Sequence, residues 1–297
     1  MNSVFLRGLL TGLVALAAAL PGWGKAPAAY VVLRPVINFH SGPQEDRDVV
    51  SQAVLGARLV ELDHQDGWIK VKGEDDYPGW VQASTLRPLV EDERYPASLE
   101  PGKAVEIDAL GANLYLEPDV TKHAPVLTAP YGVRLERING GKDTQRWLEV
   151  RLPDRRAAWI QSGDVRTDLQ PLSLEASLAL AKRFLGITYT WGGSSTFGFD
   201  CSGFTQTILR SRGVIMPRDA NIQAEWPGLV AVTFRTQLQP GDLLFFGKDA
   251  AHITHTGMYL GKGAFIHDTP KDRPGIQISG LGDPYWSKLL VAMRRLK

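Results

Sequence analysis

The sequence predicts an α+β protein: two small β-barrels of related sequence, then a domain in which helices precede a central antiparallel sheet. Three observations carry this. The first half of the chain contains an internal repeat made of short alternating strands. A helical stripe opens at Ser173. Strand–turn–strand patterns dominate after residue 240. At 297 residues the chain exceeds one typical domain, and its 44% hydrophobic and 22% charged residues are those of a folded protein.

The amino terminus reads as a secretory signal over residues 1–26. Arg7 supplies the positive region. Leu9 to Leu20 is apolar except for Thr11 and Gly12, and Gly24-Lys25-Ala26 places small residues where signal peptidase reads. That run is too short to cross a bilayer of roughly 30 Å as a helix, so no integral membrane segment is expected after its removal. The protein is expected to be exported, to the periplasm or to the extracellular space and cell wall, and to be a monomer. The net charge of +1 gives no electrostatic case for binding nucleic acid.

The repeat aligns Gly56-Ala57-Arg58-Leu59 with Gly132-Val133-Arg134-Leu135, Trp68-Ile69-Lys70-Val71 with Trp147-Leu148-Glu149-Val150, and Trp80-Val81-Gln82 with Trp159-Ile160-Gln161. Both tryptophan pairs share one offset. The glycine pair is offset by three fewer, so the second copy holds three extra residues at the 139–142 turn. Each copy reads as a barrel of about five strands, over 28–90 and 100–168, with its tryptophans expected in the core. Where the first copy has Asp76 and Tyr77, the second has Arg155 and Arg156. The barrel does not need Asp76-Tyr77, which makes them candidates for a task of the first copy alone.

The third domain, 173–297, opens on a helix capped by Ser173 and ended by Gly186, with Leu174, Leu178, Ala181 and Leu185 expected to face inward. Its Cys201 is the only cysteine of the chain, so no internal disulfide and no multi-cysteine zinc site can form. Asp200 is a good N-cap, which places Cys201 in the first turn of a helix carrying Phe204 and Ile208. There the helix terminus, together with an imidazolium, is expected to favour the thiolate. Of six histidines, His40, His64 and His123 lie in the barrels and are expected at the surface. His255 and His267 fall on two strands joined by Gly261-Lys262-Gly263, so a hairpin brings them together. His255 then suits the general base and His267 the group that orients it; His252 lies at the loop side with no such partner.

The ordered series Tyr189-Thr190-Trp191-Gly192-Gly193, Asp200-Cys201-Ser202-Gly203-Phe204, Pro217-Arg218-Asp219-Ala220, Gln239-Pro240-Gly241-Asp242-Leu243-Leu244-Phe245-Phe246, His255-Thr256-Gly257-Met258-Tyr259-Leu260-Gly261 and Ile266-His267 resembles the NlpC family of papain-like cysteine peptidases. The barrels resemble bacterial SH3-like domains. The whole resembles cell-wall endopeptidases that cut γ-D-glutamyl-L-diamino acid bonds. The resemblance implies a papain-like catalytic domain with no cofactor and no metal. It implies Cys201 as nucleophile, His255 as base, His267 as third member and Tyr189 at the oxyanion. It implies a pocket for the free amino group of an N-terminal L-Ala, formed by Asp219, Ser202 and Tyr77; Asp76 and Trp191 are further candidates for substrate contact. Ala220 departs from relatives that carry Ser after the Arg-Asp pair. The implied substrates are peptidoglycan stem peptides. The alternatives are a peptidoglycan-binding protein with weak or no hydrolase activity, a metallohydrolase using His252, His255 and His267, and an acyltransferase.

Overall fold

The computed structural model describes residues 28–138 and 146–297; the signal segment and the 139–142 turn lie outside them. Two seven-stranded sheets fill the first half. The first runs, in spatial order, Val49–Val54, Val36–His40, Pro78–Gln82, Trp68–Lys72, Arg58–Gln65, Ala29–Val32 and Leu86–Pro88. The second repeats that order with Leu127–Pro130, Gly111–Tyr115, Ala157–Gln161, Trp147–Arg151, Arg134–Arg137, Ala104–Ile107 and Val165–Arg166. The sequence reading of about five strands missed the short closing strands.

It also misplaced the tryptophans. Side chains alternate along a strand. Ile69, Val71 and Val81 fill the first core, and Leu148, Val150, Ala158 and Ile160 the second. Trp68 and Trp147 therefore turn outward, half-buried, and meet His40 and Tyr115 edge-on. His40, expected at the surface, is buried, with Nδ1 3.0 Å from the Arg47 carbonyl.

The third domain has four helices: α1 (Leu174–Arg183), α2 (Cys201–Ser211), α3 (Ala220–Glu225) and α4 (Pro284–Leu289). Its six-stranded antiparallel sheet runs Leu229–Ala231, Leu290–Leu296, Leu243–Gly247, Ile253–Gly261, Ala264–Thr269, Gly275–Gly280. One face of the sheet (Leu243, Phe245, Met258, Ile266) packs on α1, α2 and α3. The other (Leu244, Phe246, Phe265) packs on Trp286 of α4. The Ser173 hydroxyl caps α1 by accepting from the Ala176 amide. The buried stripe of α1 is Ser177, Leu180, Ala181 and Phe184, one step round from the expected one; Leu174 and Leu185 are exposed. A stripe starting at 177 has the same period, and only the docked partner chooses between them. Among the described residues no helix is long and apolar enough to cross a membrane.

Both barrels touch the third domain. From the first, Gln52 accepts the Ser194 amide at 3.0 Å, and Asp75 accepts from Gln206 Nε2 at 2.9 Å. From the second, the Tyr131 amide donates to the Thr196 hydroxyl, which donates to the Leu110 carbonyl. The Tyr131 ring enters the third domain's core against Phe184; Phe184 stacks on Phe199, and Phe199 meets Phe204 edge-on. This aromatic row ends on the residues that flank Asp200-Cys201, so the second barrel braces the start of α2.

Candidate active site

Asp200 caps α2 as expected, accepting the Gly203 amide at 2.8 Å and the Gly192 amide at 3.1 Å. The 190–193 loop lies so close to this turn that a Cβ added at Gly203 would stand 2.1 Å from the Gly193 carbonyl. Only glycine permits that approach. Cys201 is the first residue of the helix, and its side chain is buried. Its sulfur faces the backbone amides of Thr256 and Ser202. Thr256 follows His255 in the Ile253–Gly261 strand, so this amide contact sets the imidazole-bearing strand beside the nucleophile.

The histidine hairpin forms as expected. His255 Nε2 lies 2.8 Å from His267 Nδ1, and His267 Nε2 lies 3.0 Å from Ser279 Oγ. The chain has one orientation that serves catalysis. His255 Nε2–H donates to His267 Nδ1, His267 Nε2–H donates to Ser279, and His255 Nδ1 is left as the acceptor. Trp286 walls this pair, stacked on His255 at 5.1 Å and edge-on to His267 at 4.7 Å. Burial drives both imidazoles toward the neutral form, His255 down to about 3 and His267, with His255 adding to the effect, to about 2.

The thiol does not follow the sequence expectation. Burial, with the Asp200 carboxylate adding to it, pushes Cys201 up to about 12, against the pull of the two amides and Arg218. Desolvation of an anion outweighs the roughly half charge of a helix terminus. Burial thus works against charge on the sulfur and on the imidazole alike.

Arg218 is the residue that sequence reading passed over. Its guanidinium is buried and grips both Asp200 oxygens, at 2.9 and 2.6 Å. It also donates to Ser202 Oγ at 2.8 Å and to Ser51 of the first barrel at 3.3 Å. Ser202, expected to line the substrate pocket, has its hydroxyl occupied by Arg218 and Asp200. Trp286 and Ser279 were missed as well. Each acts across long sequence separation, which local patterns do not report.

Asp219 occupies the N-cap position of α3, yet its carboxylate caps no amide. It interacts instead with the Tyr77 hydroxyl of the first barrel; burial raises its ionisation, opposed by Arg218 and by Tyr77. Asp76, expected beside it, has φ 58° and turns to solvent to pair with Lys72. Asp75 is the neighbour that reaches the third domain. Tyr189 is half-buried beside Cys201, whose negative form raises its phenol further after burial. Trp191, in the 190–193 loop, is 70% exposed. His252 is turned to solvent and paired with Asp249, and among the described residues no three His, Cys, Asp or Glu side chains converge on one point.

Replacing His267 by Ala leaves His255 free to rotate and to take the wrong tautomer. The expected loss is on the order of 10²–10⁴ in kcat with KM nearly unchanged, read from steady-state kinetics.

The comparisons with known proteins agree with this geometry. Residues 186–295 match the NlpC/P60 family, and residues 40–86 match the bacterial dipeptidyl-peptidase Sh3 domain. The chain is 34% identical over 260 residues to a gamma-D-glutamyl-L-lysine dipeptidyl-peptidase of Bacillus cereus, covering 82% of this chain and 74% of that one. It is 29% identical over 276 residues to the protein of that name from Bacillus subtilis, covering 84% and 82%. A solved NlpC/P60 family structure from Bacillus cereus superposes with a TM-score of 0.76 at 26% identity, covering 90% of this chain and 99% of that one. With a lone cysteine at a helix start beside a paired-histidine strand, the chain belongs to the NlpC/P60 family and is a cysteine peptidase.

Proposed function

We propose that this protein is a cell-wall endopeptidase that hydrolyses the γ-D-glutamyl-L-diamino acid bond of peptidoglycan stem peptides with a free N-terminal L-Ala. We read 1–26 as a signal that exports it, 28–90 and 100–168 as SH3-like domains, and 173–297 as the catalytic domain. The name of the two Bacillus relatives supports the bond chosen.

The observation that carries the specificity is the uncommitted carboxylate of Asp219. It stands at the seam between the first barrel and the catalytic domain, its N-cap role unused, beside the Tyr77 hydroxyl and the Arg218 guanidinium. The neighbouring cation, Arg218, is already held by Asp200. An α-ammonium group is the partner such a half-desolvated carboxylate lacks. An ammonium group there opposes the upward push of burial on Asp219.

The reaction follows from the site. Cys201 attacks the γ-carbonyl as His255 Nδ1 takes its proton. The Tyr189 hydroxyl and the Cys201 backbone N–H receive the oxyanion. His255 gives the proton to the leaving amine, then activates the water that releases L-Ala-D-Glu. His267 and Ser279 hold the imidazole throughout. Stem peptides still amide-linked at the L-Ala nitrogen lack the charge and carry bulk there, so released peptides are the better substrates.

The test is a pair of peptides, free and N-acetylated. Wild type is expected to favour the free one by about 10²-fold or more in kcat/KM, as for loss of a buried ion pair. Asp219→Asn is expected to lose most of that preference. Equal cleavage of both peptides by wild type would remove the amine pocket.

A further inference from the structure

Asp268 is a buried acid for which the mechanism above has no use. It follows His267 in the Ala264–Thr269 strand, so the two side chains leave opposite faces of the sheet. His267 turns toward His255 and Trp286. Asp268 shares its face with Ile266, which packs in the core formed with α2.

The register locates it further. Met258 pairs with Ile266 and Tyr259 with Phe265. Continuing that register sets Gly257 opposite His267, and a Cβ added at Gly257 would indeed lie 2.9 Å from His267 Cβ. Thr256 then stands opposite Asp268. Thr256 is the residue whose amide faces the Cys201 sulfur. The Thr256 hydroxyl and both Asp268 carboxyl oxygens are buried without a hydrogen-bond partner among the described residues. The Thr269 amide leans on the carboxyl without reaching hydrogen-bond geometry.

Charged and titratable groups face Asp268 from the packed elements. From the cap of α2 this is Asp200, and from the 187–190 loop Tyr189; His255 and His267 lie on the opposite face of the sheet, against Trp286. Opposite it on the Gly275–Gly280 strand is Ile276, which is apolar. The buried cation of the region, Arg218, is bound to Asp200. A carboxylate with neither oxygen paired, buried and facing a second carboxylate, is strongly disfavoured.

We propose that Asp268 is a positioning residue that works as an uncharged carboxylic acid behind Tyr189 and Thr256, and that its ionisation switches the peptidase off on the alkaline side. The proposal rests on the reading of Cys201 as nucleophile and Tyr189 as oxyanion donor. Negative charge develops on sulfur and then on the oxyanion. A neutral Asp268 leaves room for that charge; an ionised one repels it. Burial first, then Asp200, lifts its ionisation to about 8. The sign is fixed: the uncharged form is complete well below that value and lost above it. Ionisation of Cys201 itself would act the other way, raising the rate with pH.

The experiment is a pH profile of kcat/KM on the free peptide for wild type, Asp268→Asn and Asp268→Ala, beside the rate of Cys201 alkylation by iodoacetamide. Wild type is expected to lose roughly tenfold or more on passing from pH 7 to 9, as titration of a single inhibitory group near 8 demands. Both variants are expected to keep their activity over that range, with alkylation faster than wild type at the alkaline end. At acidic to neutral pH, Asp268→Asn is expected within about threefold of wild type, since its amide mimics the uncharged acid. An alkaline limb unchanged in both variants overturns the proposal, as does a hundredfold loss in Asp268→Asn at neutral pH. Infrared spectra of the wild type give a readout that needs no variant. A protonated carboxyl band at neutral pH that vanishes on alkalinisation is expected, and its absence contradicts the proposal. Failure of the nucleophile reading would look different, as alkylation of Cys201 without loss of activity.

Discussion

Cys201→Ala is expected to lower hydrolysis by at least about 10⁴-fold without unfolding the protein, because removing a covalent nucleophile leaves only binding and oxyanion stabilisation. The position tolerates the change: Ala fits where Cys was, and the cap of α2 belongs to Asp200. Folding is checked by the thermal transition and activity by release of dipeptide. A variant that kept a tenth of wild-type activity would remove the sulfur from the mechanism. The buried thiol adds a kinetic signature. Its ionisation is pushed up, so the thiolate fraction, and with it alkylation of the resting enzyme, climbs steadily with pH through the neutral range. A preformed thiolate–imidazolium pair would instead give a plateau.

Arg218→Met is expected to be the most damaging substitution to stability. It leaves the Asp200 carboxylate buried with backbone amides and the Ser202 hydroxyl alone, and breaking a buried pair in this way costs about 3–5 kcal/mol. The transition temperature is expected to drop by roughly 10 °C. Adding Asp200→Asn removes the stranded charge, so the double variant is expected to be less destabilised than the two single effects together. Activity falls with stability here, because Asp200 caps the helix that presents Cys201, and Ser51 ties the same arginine to the first barrel. A cost under about 1 kcal/mol for Arg218→Met would mean that the pair does not hold this turn.

Much of the site could be read from local chemistry. An Asp followed by a lone Cys at the opening of an apolar stripe marks a helix start, and a glycine turn between two strands marks the hairpin that joins His255 to His267. Comparing the two barrel copies singled out the 76–77 region, but one residue of that reading fails. The left-handed backbone at Asp76 sends its side chain to Lys72, and Asp75 makes the cross-domain contact. What stayed hidden has a common cause. Arg218, Ser279, Trp286 and Asp268 gain their meaning from partners brought together by the tertiary fold, and a charged residue in sequence looks like a surface residue. The tryptophans of the barrels misled because their repetition suggested a core, whereas strand alternation gives that place to Ile69 and Leu148. The ionisation of the thiol follows the same pattern. The helix terminus is visible in sequence; the burial that outweighs it is not.

The most direct measurement incubates the purified protein with L-Ala-γ-D-Glu-L-lysine and with L-Ala-γ-D-Glu-diaminopimelate, and identifies the products by mass. Release of L-Ala-D-Glu from at least one of them by wild type, and from neither by Cys201→Ala, is the expected result. Intact peptides after incubation with wild type, or the same dipeptide released by the alanine variant, would contradict it.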